Sequence, residues 1–82
     1  MNTIYVIPNC PVCQSAVRVL RNKHPVNHRI VKITSQEEAD SLLEKFPQMK
    51  CFTCLFGIRV PFFTSGDELI GGYDDMMRHL YR

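Results

Sequence analysis

The sequence carries little net charge. Ten Lys and Arg residues against eight Asp and Glu residues give a formal charge of +2. Proteins that bind nucleic acid usually cluster basic side chains on one face, whereas these are scattered along the chain. We therefore expect no nucleic-acid partner.

Long apolar runs and targeting features are also missing. No run approaches the roughly 20 residues of a membrane-spanning helix, and the N-terminus has neither the basic region nor the apolar core of a secretory signal. We therefore expect no membrane partner and a cytoplasmic location. The sequence has no internal repeat, linker or low-complexity segment, so residues 1–82 are expected to form one monomeric domain with a small core.

Four cysteines are present, and they form two Cys-x-x-Cys pairs. In a reducing compartment, paired cysteines indicate redox chemistry or metal binding. The first pair, Cys10-Pro11-Val12-Cys13, follows an apolar run and precedes a segment with helical periodicity. Cys10 stands at the expected N-cap and Pro11 at the first helical position. The free N–H groups and positive end of a helix favour the thiolate form of a cysteine placed there.

Hydrophobic periodicity predicts the first three elements. The apolar run at residues 3–7 predicts a strand buried on both faces. A helix is expected from about Pro11 to Asn22, with Pro25 as its stop. The run Ile30-Val31-Lys32-Ile33 predicts a second strand, parallel to the first because the connection contains a helix.

The second half predicts a helix, a hairpin and a helix. The segment Thr34-Ser35-Gln36-Glu37-Glu38 has a capping-box pattern, and Pro47 ends the helix that follows. Residues 47–59 show no clear period and are expected to hold an irregular helical turn. Two strands then flank the turn Ser65-Gly66-Asp67. After Gly71-Gly72, apolar residues at helical spacing predict a last helix.

The second pair, Cys51 and Cys54, leaves several interpretations open. The favoured one is that one cysteine packs in the core while the other has no role, since free cysteines are readily buried. A second redox or regulatory disulfide is an alternative. A zinc site of all four cysteines would make the protein a zinc-stabilised binding module, but the two pairs lie much further apart than the 15–20 or so residues typical of such sites. We therefore expect no metal.

Three motifs together resemble a glutaredoxin of the thioredoxin superfamily: the Cys10-Pro11-Val12-Cys13 dithiol, Val60-Pro61 before the hairpin, and Gly71-Gly72-Tyr73-Asp74-Asp75 after it. The compact length is similar to that of phage- or virus-encoded members. The resemblance implies an α/β, thioredoxin-like fold of order β-α-β-α-β-β-α. Its four-stranded mixed sheet would carry helices on both faces, and the Val60–Pro61 peptide bond would be cis.

The resemblance also implies a function and a site. The protein would be a thiol–disulfide oxidoreductase that reduces protein disulfides and uses glutathione as co-substrate. Its catalytic residues would be Cys10 and Cys13. Ribonucleotide reductase is one partner that the family suggests. The implied glutathione-binding residues are Val12, Val60, Pro61, Gly72, Tyr73, Asp74 and Asp75. In that picture the start of the last helix holds the γ-glutamyl carboxylate, and Asp74 or Asp75 accepts from its amino group.

Two departures from the family pattern concern glutathione. Many members carry Lys shortly before the first cysteine, where this chain has Ile7-Pro8-Asn9, and Thr before Val-Pro, where it has Arg59. The usual cation for the glycine carboxylate is therefore missing, and Arg59, Lys45 or Lys50 could replace it. The missing lysine favours an alternative of the same fold, a redoxin that is reduced by thioredoxin reductase.

Overall fold

The structure, a computed structural model, describes residues 2–23 and 28–81. It contains strands β1 (Asn2–Val6), β2 (His28–Lys32), β3 (Phe62–Ser65) and β4 (Glu68–Gly71). Its helices are α1 (Pro11–Lys23), α2 (Gln36–Lys45) and α3 (Tyr73–Leu80). The predicted order of elements is confirmed. The predicted helix stop at Pro25 lies outside the described residues.

The strands form one mixed sheet in the order β2-β1-β3-β4. β1 pairs in parallel with β2, and antiparallel pairing joins β1 to β3 and β3 to β4. The β1–β2 pair is parallel because α1 carries the chain back across the sheet. The β3–β4 pair is a tight hairpin in which Gly66 has φ 62°, a left-handed conformation that glycine adopts at little cost.

Alternate residues of the central strands pack against opposite faces of the sheet. Ile4 and Phe63 belong to a core cluster with residues of α1 and α3, whereas Phe62 belongs to a second cluster with residues of α2. Tyr5 stacks on Phe62 with ring centroids 4.4 Å apart. The period of two along a strand explains this division, and it confirms the predicted thioredoxin-like arrangement of helices on both faces.

The capping-box segment begins α2 as predicted, with one difference. The Ser35 hydroxyl accepts a hydrogen bond from the Glu38 N–H at 3.3 Å. The Glu38 carboxylate, however, reaches back to Thr34, accepting from its hydroxyl at 3.1 Å and its N–H at 3.4 Å. The Ser35 bond is the one found in a usual capping box, whereas the bonds to the Glu38 carboxylate come from Thr34, one residue before the N-cap.

The segment between α2 and β3 is a folded loop. It holds two short 3₁₀ turns, Pro47–Met49 and Leu55–Gly57, which correspond to the expected irregular helical turn. Lys50 pairs with Ile58 in an isolated antiparallel bridge, and the Arg59 N–H donates to the Met49 carbonyl at 2.7 Å. The two ends of the loop are thus tied together directly before Val60. Within the described ranges, no helix is long and apolar enough to cross a membrane.

Candidate functional site

The sheet topology brings the predicted motifs to one edge. β3 runs antiparallel to β1, so the start of β3 lies beside the end of β1, and the end of β4 returns to the same place. These three positions carry the dithiol, Val60–Pro61 and Gly72. Packing agrees with the topology, because Cys10, Val60 and Tyr73 all contact the same core cluster.

Cys10 occupies the predicted N-cap of α1. Its sulfur accepts a hydrogen bond from the Cys13 N–H at 3.2 Å, and its carbonyl accepts from the Gln14 N–H at 3.0 Å. Sulfur thus takes the place of the oxygen that a serine or aspartate cap would supply. Asn9 turns the chain into the helix with φ 59°, a conformation that asparagine tolerates better than most residues. Cys10 is partly exposed and can meet a substrate.

Cys13 has a different environment one helical turn later. Its side chain is 2% exposed and belongs to the core cluster between α1, α3 and the sheet. Burial, with a further contribution from the adjacent Cys10 sulfur, raises the pKa of the Cys13 thiol from 9.0 to about 12. Cys13 is therefore a protonated thiol at neutral pH. Both cysteines are unbonded, so the structure represents the reduced dithiol.

Val60 and Pro61 are joined by a cis peptide bond, which confirms the expectation from the family resemblance. Pro61 is buried and Val60 is half-buried. Val60 lies outside the β3 ladder, and within the described residues its main-chain N–H and C=O make no hydrogen bond. They are available to an extended ligand. Val12, between the two cysteines, is 53% exposed and adds apolar surface beside Cys10.

The Gly-Gly-Tyr-Asp-Asp motif forms the start of α3. Gly72 is the N-cap, and a side chain there would lie 3.8 Å from the Pro61 carbonyl, which shows how closely the helix start approaches Pro61. The Asp75 carboxylate covers Gly71, so a Cβ at Gly71 would collide with it. The Asp75 carboxylate also forms an ion pair with Arg78, with 3.7 Å between Asp75 Oδ1 and Arg78 Nη1.

Asp74 is exposed and, among the residues that the structure describes, forms no ion pair. No side chain in the described part of the chain caps the first turn of α3, and the first N–H groups of any helix have no partner within it. This end of the helix therefore offers hydrogen-bond donors and carboxylates side by side.

The candidate cations differ in their surroundings. Lys45 lies over the Phe46 ring and Lys50 over the Phe52 ring, with Nζ-to-centroid distances of 5.6 and 5.1 Å. Arg59 is exposed and directly precedes Val60. In the described part of the chain it makes no ion pair or cation–π contact.

Cys51 and Cys54 form a disulfide, which corrects the favoured interpretation that they are independent cysteines. The loop brings their Cα atoms to 5.4 Å, within the range that a disulfide requires. The Cys-x-x-Cys spacing was the signal for this bond. Cys51 is buried, as one of the two was expected to be. Nowhere in residues 2–23 and 28–81 do three or more metal-ligating side chains form a group.

A dithiol at a helix start, beside a cis-proline, in a four-stranded mixed sheet with helices on both faces defines a thiol–disulfide oxidoreductase of thioredoxin-like fold. The Glutaredoxin family model matches residues 2–51, more than half of the chain. The chain therefore belongs to the glutaredoxin family, and it is a thiol–disulfide oxidoreductase.

Among solved structures, the chain is similar to oxidised glutaredoxin 2 from Chlamydomonas reinhardtii. The TM-score is 0.66 at 19% identity, and the match covers 98% of this chain and 70% of that one. This likeness concerns the fold. No curated protein matches the sequence significantly.

Proposed function

We propose that this oxidoreductase depends on glutathione, with Cys10 as the nucleophile and Cys13 as the resolving thiol. The observation that carries the proposal is the contrast between the two sulfurs. Cys10 is partly exposed and accepts a hydrogen bond from the Cys13 N–H, whereas Cys13 is buried and protonated. A thiolate is the nucleophile in thiol–disulfide exchange. Of the two sulfurs, only that of Cys10 is both accessible to a substrate and hydrogen-bonded by a backbone N–H.

In the first step, the Cys10 thiolate attacks a substrate disulfide, a Cys10–substrate S–S bond forms, and the other substrate sulfur leaves as a thiolate. Cys13 then loses its proton and attacks Cys10, so that the second substrate sulfur leaves and a Cys10–Cys13 disulfide remains. Bonding Cys10 removes the neighbouring charge that had opposed ionisation of Cys13. Two glutathione molecules return the pair to the dithiol and leave as glutathione disulfide.

The proposed glutathione site uses the groups that meet at the sheet edge. The unpaired N–H and C=O of Val60 would bind the cysteinyl unit as an added strand does. The start of α3, with Gly72 and Tyr73, would hold the γ-glutamyl carboxylate, and Asp74 or Asp75 would accept from its amino group. Val12 and Pro61 would supply apolar contact.

Arg59 is the cation that we propose for the glycine carboxylate. It adjoins Val60 and, among residues 2–23 and 28–81, lies over no aromatic ring, unlike Lys45 and Lys50. Arg59→Ala should raise KM for a glutathionylated peptide about threefold to tenfold, the loss expected for one charged hydrogen bond at an exposed site. Lys45→Ala is the matched control and should leave KM unchanged. Equal KM changes in both variants would remove Arg59 from the site.

Coupling to two reductases tests the electron source. Turnover of a disulfide substrate is measured with glutathione plus glutathione reductase, and separately with thioredoxin reductase, at equal protein concentration. We expect turnover with glutathione. Turnover with thioredoxin reductase alone would refute glutathione dependence and favour a redoxin of the same fold.

The physiological substrates that we propose are protein disulfides in the cytoplasm. Ribonucleotide reductase is one such substrate that the family suggests, and reduction of its disulfide by stoichiometric reduced protein would test it. Failure with that substrate would leave the reductase-coupling result unaffected.

A further inference from the structure

The Cys51–Cys54 disulfide lies outside the dithiol mechanism, and its two sulfurs are not equivalent. Cys51 is buried, 9% exposed, whereas Cys54 is partly exposed. The residues beside them point into solvent: Phe52 is 90% exposed and Leu55 is 56% exposed. A thiol in solution therefore reaches the Cys54 sulfur more easily than the Cys51 sulfur.

Burial disfavours a thiolate at Cys51, and one neighbouring side chain opposes that effect. The Thr53 hydroxyl lies 3.6 Å from the Cys51 sulfur, and because a disulfide sulfur carries no hydrogen, the hydroxyl is the donor. A donor to a leaving sulfur stabilises the thiolate, and a thiol of lower pKa leaves faster.

The bond is poorly suited to a purely structural role. The disulfide closes a loop of only four residues, and short loops give the least stabilisation. Backbone hydrogen bonds already hold the same loop: the Cys51 N–H donates to the Gly57 carbonyl at 2.9 Å, and the Gly57 N–H donates to the Cys54 carbonyl at 3.0 Å. These bonds do not involve sulfur, so the loop can keep its conformation when the disulfide is reduced.

We propose that Cys51–Cys54 is a second thiol–disulfide exchange site, which small monothiols of the glutathione class reduce by attack on Cys54. A thiolate attacks the Cys54 sulfur, the Cys51–Cys54 bond breaks, and Cys51 leaves as a thiolate that takes up a proton. A second thiolate attacks the sulfur of the first, which releases Cys54 as a thiol and the monothiol as its disulfide. Two electrons and two protons are transferred in total.

The test uses the full chain with the first pair removed, Cys10→Ser/Cys13→Ala. The oxidised variant is equilibrated with reduced and oxidised glutathione at varied ratios, quenched with acid, alkylated, and weighed by mass spectrometry. The Cys51–Cys54 pair should pass from about nine-tenths to about one-tenth oxidised over a hundredfold change in [GSH]²/[GSSG], as a two-electron couple requires. A pair that stays oxidised throughout would overturn the proposal.

The wild-type chain provides a second measurement that does not depend on the folding of that variant. Peptides containing Cys10–Cys13 and Cys51–Cys54 are quantified separately after the same equilibration. Brief exposure to glutathione, followed by quenching, should place the glutathione adduct on Cys54. An adduct found mainly on Cys51 would overturn the assigned direction of attack.

The Thr53 hydroxyl has its own test, as a positioning residue. Thr53→Val keeps the shape but removes the donor, and it should slow reduction of Cys51–Cys54 by glutathione about twofold to tenfold, the effect of one hydrogen bond. Thr53→Ser keeps the donor, and glutathione should reduce its Cys51–Cys54 disulfide at the wild-type rate. A Thr53→Val rate equal to wild type would overturn the leaving-group argument. None of these readouts requires Cys10, so they remain informative if glutathione dependence of the first pair fails.

Discussion

The buried thiol of Cys13 should make the stability of the reduced protein fall at alkaline pH. In the native state the pKa of Cys13 is raised to about 12, whereas the unfolded chain has the ordinary value of 9.0. Between these values the native state holds a proton that the unfolded state has released, so the free energy of unfolding decreases as pH rises. Below pH 9 both states keep the proton and the contribution is constant.

The magnitude follows from the same two values. At about 1.4 kcal/mol per pKa unit, a rise from 9.0 to about 12 corresponds to roughly 4 kcal/mol at neutral pH. The loss should begin near pH 9 and proceed at up to about 1.4 kcal/mol per pH unit. Small domains have only about 5–15 kcal/mol of total stability, so the effect is large enough to measure.

Urea unfolding of wild type and Cys13→Ala, each kept reduced, isolates this contribution. Groups that titrate above pH 9 and do not contact Cys13 are common to both proteins, so the difference in free energy of unfolding between them reports Cys13 together with its interaction with Cys10. That difference should be constant from pH 7 to 8.5. By pH 10.5 the free energy of unfolding of wild type should have fallen by roughly 2 kcal/mol relative to that of Cys13→Ala. Parallel pH profiles would refute the conclusion that the native state holds Cys13 as a protonated thiol.

Three further predictions concern activity and folding. Cys10→Ser should abolish all disulfide reduction, whereas Cys13→Ser should spare reduction of glutathione mixed disulfides and impair reduction of protein disulfides; equal losses of Cys13→Ser on both substrates, measured by initial rates, would contradict the assigned roles. Gly71→Ala should lower the free energy of unfolding by roughly 2 kcal/mol, because Gly71 has φ 132° and its Cβ would collide with Asp75; an unchanged urea midpoint would show that Asp75 moves away freely. Ser35→Ala should cost about 1 kcal/mol through loss of the α2 cap, whereas Ser35→Asp, which restores an acceptor, should recover most of it in the same assay.

Local pattern was sufficient to predict the order of elements. The continuous apolar run of β1 and the helical spacing in α2 and α3 each depend on residues a few positions apart. The cis Val60–Pro61 bond was different, since most X-Pro bonds are trans and local residues did not decide between the isomers. That prediction came from the family resemblance alone.

The loop between α2 and β3 shows where sequence pattern stops being informative. Its conformation depends on the Lys50–Ile58 bridge and on Phe56, a non-glycine residue at φ 60°, and neither leaves a periodic signal. The Cys51–Cys54 spacing allowed a disulfide, but only the path of the loop brings the two Cα atoms within bonding range. Similarly, Asp74 and Asp75 were equivalent in the sequence, and only the structure shows that Asp75 lies over Gly71 and beside Arg78.

The two Cys-x-x-Cys pairs have the same spacing, but the buried cysteine is the C-terminal one in the first pair and the N-terminal one in the second. In the first pair the N-terminal cysteine is partly exposed, because it caps a helix whose next turn buries the second cysteine. In the second pair the N-terminal cysteine is buried in a loop, and the C-terminal one is partly exposed. In each pair the less buried sulfur should be the one that reacts with a molecule from solution. Cys10 should attack a substrate disulfide, and Cys54 should be attacked by a thiolate. We therefore expect the element that carries each pair, a helix start or a loop, to set the direction of exchange, which the motif alone does not indicate.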